Sequence, residues 1–133
     1  MLDSESATIT MSAMPEPFLV TKELADLLGV LAHPHRIRII EELRETERDV
    51  NTLQTALGIS HSGVSQHLSV LRAHRLVAER REGRHVYYHL RQPKLARWLI
   101  GGIEFVAGTQ EVADDVRQAI ETMRARWATE KAE

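Results

Sequence analysis

Between Asp49 and Leu90 the chain changes its hydrophobic period from helical to extended, and turn residues punctuate the stretch. Val50 to Leu57 reads as a short helix, with Asp49 placed to cap its first amides and Gly58 to stop it. Gly58-Ile59-Ser60 leaves three residues in which to turn. A second helix is predicted from His61 to Ala73, capped by Ser60. Its Val64, Leu68 and Leu71 fall at i, i+4, i+7 and make one buried stripe. The opposite face carries Ser62, Ser65, Gln66, Ser69 and Arg72, which are polar and hydrogen-bonding. The period then drops to two. Val86, Tyr88 and Leu90 alternate with His85, Tyr87 and His89, and Arg81-Glu82-Gly83-Arg84 supplies a turn back to Leu76–Arg80. Helix, tight turn, helix and an arginine-tipped hairpin outline a winged helix-turn-helix.

The residues that carry this outline resemble the ArsR/SmtB family of small dimeric bacterial repressors. They are Ser-Gly-Val-Ser-Gln-His-Leu-Ser-Val-Leu-Arg at 62–72, Leu76-Val77, and Gly-Arg-His-Val-Tyr-Tyr-His-Leu at 83–90. Upstream, Leu31-Ala32-His33-Pro34-His35-Arg36-Ile37-Arg38-Ile39-Ile40 is similar to the family's helix junction, and the whole resemblance covers residues 20–92. It implies a mainly α fold with a small β-hairpin, a winged helix-turn-helix that dimerises through its terminal helices. It also implies a repressor that binds a pseudo-palindromic operator in double-stranded DNA. One departure stands out. The family commonly has glycine before Leu-Val, whereas Ala73-His74-Arg75 stands here, and a left-handed residue is costlier without glycine. Histidine tolerates that region better than branched residues do.

A net charge of −2 looks wrong for a nucleic-acid binder, but its distribution does not. Residues 60–91 hold six arginines against two glutamates, whereas residues 1–59 hold five basic against ten acidic side chains. The positive charge is concentrated where a phosphate backbone would meet it. The competing view is a solvated hairpin, or a winged helix that docks on another protein. The polar Ser-Gln face argues against the latter, because a protein-docking face would show apolar residues there.

Residues 1–16 mix Ser, Thr, Met and Asp without a period and are expected to form a disordered arm. The DNA-binding core is expected over 17–92, and dimerisation helices over 93–133, as one domain with it. A helix fits Thr21 to Leu31, with Leu24, Leu27, Leu28 and Leu31 on one face. Pro34 fits the first position of the next helix, whose apolar side holds Ile37, Ile40 and Leu43 with Ile39 beside them. Arg36, Arg38, Glu41, Glu42 and Arg44 are expected mostly outside, with Glu41 within pairing distance of Arg38 or Arg44. A short strand near Arg48–Val50 agrees with the resemblance, but the residues do not demand one. Pro93 starts a helix whose apolar face is Leu95, Trp98, Leu99, Gly102, Ile103 and Val106, weakened by Gly101-Gly102. A final helix from Gln110 to Thr129 carries Val112, Val116, Ala119, Ile120, Met123 and Trp127 on one stripe. That stripe must fold back on its own domain or meet a partner. The resemblance favours a homodimer through Leu24, Leu27, Leu28, Leu31, Trp98, Val112, Val116, Ile120, Met123 and Trp127.

The expected DNA contacts are Ser60, His61, Ser62, Ser65, Gln66, Ser69 and Arg72 from the second helix, and Arg80, Arg81, Arg84 and His85 from the wing. Serine and glutamine read base edges, the helix N-terminus favours phosphate, and wing arginines suit backbone or a narrow minor groove. His67 flanks the buried stripe and reads as a packing histidine. Zero cysteines exclude disulfides and thiolate sites. Two metal sites recur in the resembling family, one built on cysteines and one on Asp and His of the last helix. No histidine follows His89, and Asp114 and Asp115 alone read as a solvated face. His33 and His35 have poor spacing for one helix face, and His85 and His89 lie too far apart for one ion. No cofactor and no native metal are therefore expected, and neither zinc, nickel, cadmium nor arsenite should release DNA. A metal-responsive repressor with an unusual His/carboxylate site is the alternative. No nucleophile elbow, phosphate loop or cofactor fingerprint suggests an enzyme. Without an apolar membrane span or a basic, apolar leader, a cytoplasmic location is expected. Any small-molecule or protein effector stays open.

Overall fold

A computed structural model describes residues 15–108 and 112–132. The arm expected over residues 1–16 thus lies outside the described residues except for Pro15 and Glu16. Helix α1 runs Glu16–Leu31, five residues longer at its start than its leucines suggest. Pro17 sits in its first turn, where the missing N–H breaks no intrahelical bond, and its carbonyl accepts from Thr21 Oγ1 at 2.8 Å. Helix α2 (Pro34–Glu42) follows after His33, whose Nδ1 caps it by accepting from the His35 amide at 3.2 Å.

Strand β1 (Arg48–Asp49) leads directly into helix α3 (Val50–Leu57), and helix α4 spans His61–Ala73. Strands β2 (Val77–Glu82) and β3 (His85–Leu90) form the hairpin. All three strands make one antiparallel sheet in the order β1-β3-β2, with Arg48 opposite Tyr88 and Val77 opposite Leu90. The hairpin turn is tighter than expected. Glu82 faces His85, so only Gly83 and Arg84 remain between the strands, with Gly83 at φ 61°. A positive φ at the first central residue is the demand a two-residue hairpin turn makes of glycine.

The chain closes with α5 (Lys94–Gly101), α6 (Ile103–Ala107) and α7 (Asp114–Ala132). The single helix expected after Pro93 is divided at Gly102, where a side-chain carbon would crowd the Leu99 carbonyl. Val112 precedes α7 rather than opening it, and Gln110 lies outside the described residues.

The core is drawn from every layer: Leu31, Ile39, Ile40, Leu43, Leu53, Val64, Leu68, Leu71, Val77, Leu90 and Ala96. Ile39, with Ile40 and Leu43, faces inward, while Ile37 is largely exposed. Trp98, placed on the buried face of α5 by spacing, is exposed instead, because Leu95, Leu99 and Ile100 take the core side.

Glu41 overturns its expected exposure: it is buried. Its carboxylate accepts from Arg38 Nη1 at 2.7 Å, from Arg126 Nη2 at 2.5 Å and from Trp127 Nε1 at 3.3 Å. Arg44 lies 3.6 Å away. A buried carboxylate is tolerable only when its lone pairs are met, and here arginines from α2 and α7 meet them. This arrangement seats α7 back on its own domain. Ile120 is 6 % exposed and Leu31 2 % exposed within the single chain, so both are corrected from interface to core residues. Met123 and Trp127 are half-buried in the same seam, beside Pro34, Ile37 and Leu99.

Candidate nucleic-acid interface

The α3–turn–α4 unit is fixed at three points. The Asp49 carboxylate accepts from the Thr52 amide at 2.8 Å, which starts α3. That bond holds the Asp49 carboxyl below its ordinary pKa. Gly58 ends α3 at φ 69°, and its amide reaches the Gln54 carbonyl at 2.8 Å. Ser60 Oγ accepts from the Gly63 amide at 3.1 Å and starts α4. Val64, Leu68 and Leu71 then anchor α4 by burying completely. This local bonding leaves the other face outward: His61, Ser62, Gln66, Ser69 and Arg72 are exposed, Ser65 is half-buried, and Ser60 stands at the exposed entrance. The Ser60 and Ser62 hydroxyls lie 3.2 Å apart, so the pair presents one shared donor–acceptor edge.

The far end of α4 closes on the Ala73-His74-Arg75 departure noted in the sequence. The left-handed residue is Arg75, at φ 59°, and not His74. The Arg75 amide bonds the Arg72 carbonyl at 2.9 Å and the Leu76 amide bonds the Leu71 carbonyl at 2.9 Å. These two bonds are a Schellman closure, normally built on glycine.

In the wing the arginines are not equivalent. Arg80 is turned onto its own protein. Its Nε donates to Glu47 Oε2 at 3.0 Å, its Nη1 to Glu82 Oε2 at 3.1 Å, and its guanidinium lies 4.9 Å from the Tyr87 ring centre. Hydrogen bonding to Glu47 raises the Arg80 pKa, and the same bond lowers that of Glu47. Arg80, expected as a DNA contact, thus has a structural role as well: the side chain braces β2 against the loop before β1. Arg72 pairs with Glu79 at 3.0 Å, and Arg81 meets the same carboxylate at 3.7 Å while staying 72 % exposed. Arg84 and His85 stand exposed at the tip. Glu47 and Glu79 are the partners that sequence reading missed; their link to the wing depends on strand register, which no local pattern reports.

A second grouping lies at the back of α4. His67 is half-buried as a packing residue would be, but its neighbours are histidines. The ring centres of His33 and His67 are 4.4 Å apart, and those of His35 and His67 are 5.6 Å apart. Arg36 Nε donates to His67 Nδ1 at 3.3 Å and Arg36 Nη1 to the Val30 carbonyl at 2.9 Å. Burial lowers the His67 pKa, and the charges of His33, Arg36 and His35 add to the effect. The two-residue spacing that argued against a shared site for His33 and His35 assumed helix geometry. His33 is the extended cap residue at φ −149°, outside the helical period.

Among known proteins, a family model described as bacterial regulatory protein, arsR family, matches residues 33–79. The HTH-type transcriptional repressor SmtB of Mycobacterium tuberculosis is 38% identical over 89 residues, covering 67% of this chain and 66% of that protein, just under two thirds of its length. The HTH-type transcriptional regulator Rv0081 of the same species is 37% identical over 102 residues, 76% of this chain and 87% of that one. Its crystal structure superposes with a TM-score of 0.60 over 66% of this chain and 89% of its own, at 38% identity. A homodimeric winged helix-turn-helix DNA-binding domain from Mycobacterium bovis superposes with a TM-score of 0.60 at 25% identity, covering 77% of this chain and all of that fragment, 100%.

Proposed function

This chain belongs to the arsR family of bacterial regulatory proteins, DNA-binding regulators of transcription with a winged helix-turn-helix, and from that premise we propose that it represses transcription by binding a pseudo-palindromic operator as a homodimer. The observation that carries the proposal is the outward polar face of α4, held rigid by two side-chain caps and flanked by the arginine tip of the wing. Ser62, Ser65 and Gln66 are the base readers; glutamine has the donor and acceptor needed to bond adenine at two points. Ser60, His61, Ser69 and the α4 N-terminus hold phosphates, with Arg72, Arg81, Arg84 and His85 adding charge and wing contacts. Arg84 is the principal wing reader, because Arg80 is already occupied.

Two reading helices related by two-fold symmetry match two half-sites about one DNA turn apart. The relative from Mycobacterium bovis is titled homodimeric. For this chain the surface proposed to meet the partner is Leu24 and Leu28 of α1, Trp98 of α5, Phe105 of α6 and Val116 of α7, all exposed large apolar side chains. Leu27, Val112, Met123 and Trp127 stay at the margin of that surface, each half-buried in its own chain.

No helix among the described residues is long and apolar enough to cross a membrane, which agrees with action on DNA in the cytoplasm. We assign the chain no catalytic role. The relative SmtB is named a repressor; occupying the operator would exclude polymerase. Nuclease footprinting on the DNA beside its own gene tests the proposal. Protection of two symmetric half-sites, with affinity that falls steeply as salt rises, is expected. Absence of protection, or affinity indifferent to salt, would favour a protein-docking module instead.

A further inference from the structure

Among the described residues, His33, His35 and His67 are the group of His, Cys, Asp or Glu side chains whose ligand atoms converge, all within 4.8 Å of one another. We propose that these three imidazoles capture one borderline transition-metal ion, Zn²⁺ or Co²⁺, between the α1–α2 junction and the reading helix. This goes beyond the operator-binding reading and does not depend on it.

The fit follows from the donor set and from the backbone. A tetrahedral ion with bonds of about 2.0–2.1 Å needs its ligand nitrogens roughly 3.3 Å apart. The imidazoles therefore have only a short distance to close, by rotation about their side-chain torsions. Pro34 locks the chain between an extended His33 and a helical His35, so both rings reach one side. The ring centres of these two are 5.4 Å apart, and α4 supplies the third ring from across the groove. Three neutral nitrogen donors without thiolate suit zinc and cobalt, and disfavour arsenite and other thiophilic species. All three residues are half-buried, which leaves a fourth position open to water.

Structural roles explain only part of the cluster. His33 is used as a helix cap and His67 accepts from Arg36, but the His35 ring has no hydrogen-bond partner among the described residues. Both existing bonds are long, at 3.2 and 3.3 Å, and both use a nitrogen lone pair that an ion would take. Capture therefore exchanges the α2 cap and the Arg36–His67 contact for bonds to the ion. Arg36 keeps its bond to the Val30 carbonyl. The ion would tie the helix that carries Ser62, Ser65 and Gln66 to the junction that starts α2.

The test uses untagged, full-length protein freed of metal with a chelator, and no DNA. Co²⁺ is followed by its visible absorption and Zn²⁺ by calorimetry. One ion per chain is expected. His35→Gln and His67→Gln should each weaken binding by at least about tenfold, with helical circular dichroism unchanged, while His89→Gln should bind as the parent does. His35→Gln carries the test alone if His67→Gln does not fold. No saturable binding at one ion per chain, binding indifferent to His35→Gln, or equal weakening by His89→Gln would each overturn the proposal.

Discussion

At Arg75 the backbone goes left-handed with a side chain attached, φ 59°. That conformation costs a non-glycine residue roughly 1–2 kcal/mol, partly offset by the freedom glycine would lose on folding. The Schellman bonds to Arg72 and Leu71 and the buried Val77 two residues later hold it in place. Arg75→Gly should therefore stabilise the protein by up to about 1 kcal/mol, read as a higher denaturation midpoint in urea without a change in slope. A destabilised variant would mean that the arginine side chain makes up for its own strain. The position was legible in part. The missing glycine marked a costly turn, but the residue that takes the strain is set by where α4 ends, and sequence assigned that tolerance to histidine. Arg80 was less legible. On sequence it is one more wing arginine; its commitment to Glu47 depends on residues 33 apart in the chain.

Among the elements, α3 and α4 were read from sequence with the boundaries they have, because their signals are local: Asp49, Gly58 and Ser60 each act within three or four residues. Asp49→Ala should cost about 1 kcal/mol at neutral pH through the lost cap. The Asp49 pKa is lowered by folding, so its contribution is present above the ordinary carboxylate range and is lost as pH falls through the lowered value. The stability gap between parent and Asp49→Ala should thus narrow in acid; a gap that widens there would contradict the capping role. Elements defined by distant partners were not legible. Strand β1 has two residues and exists because Tyr87 and Tyr88 pair with it. An amphipathic stripe says that α7 must be covered and not by what; the resemblance assigns the stripe to a partner, whereas Ile120 is buried within its own chain. Glu41 decides the seat, through Arg126 and Trp127 more than 80 positions away. Glu41→Leu should free α7 and cost about 1.5–3 kcal/mol, the range for hydrogen bonds to a charged group. Protease cleavage between α6 and α7 should become faster; an unchanged cleavage rate would show that apolar contacts alone hold the helix.

For the whole molecule, the return of α7 moves the expected dimer surface. Ile120 and Leu31 serve the fold of one chain, and the large apolar side chains left outside among the described residues are on α1, α2, α5, α6 and the start of α7. Each large apolar group fully buried contributes about 1.5–3 kcal/mol before association costs. Leu28→Glu with Phe105→Glu should therefore yield a folded monomer by sedimentation, and weaken operator binding by separating the two half-site contacts. A dimer of undiminished strength would place the interface elsewhere. In the proposed complex the outward face of α4 reads sequence. This is tested most directly by fluorescence anisotropy with the Ser65→Ala, Gln66→Ala double variant, on operator and on scrambled DNA of equal length and at one salt concentration. The expected result is an unchanged affinity for scrambled DNA and a loss on the operator of about 1–3 kcal/mol for each base contact removed. Full discrimination retained by the double variant would contradict it.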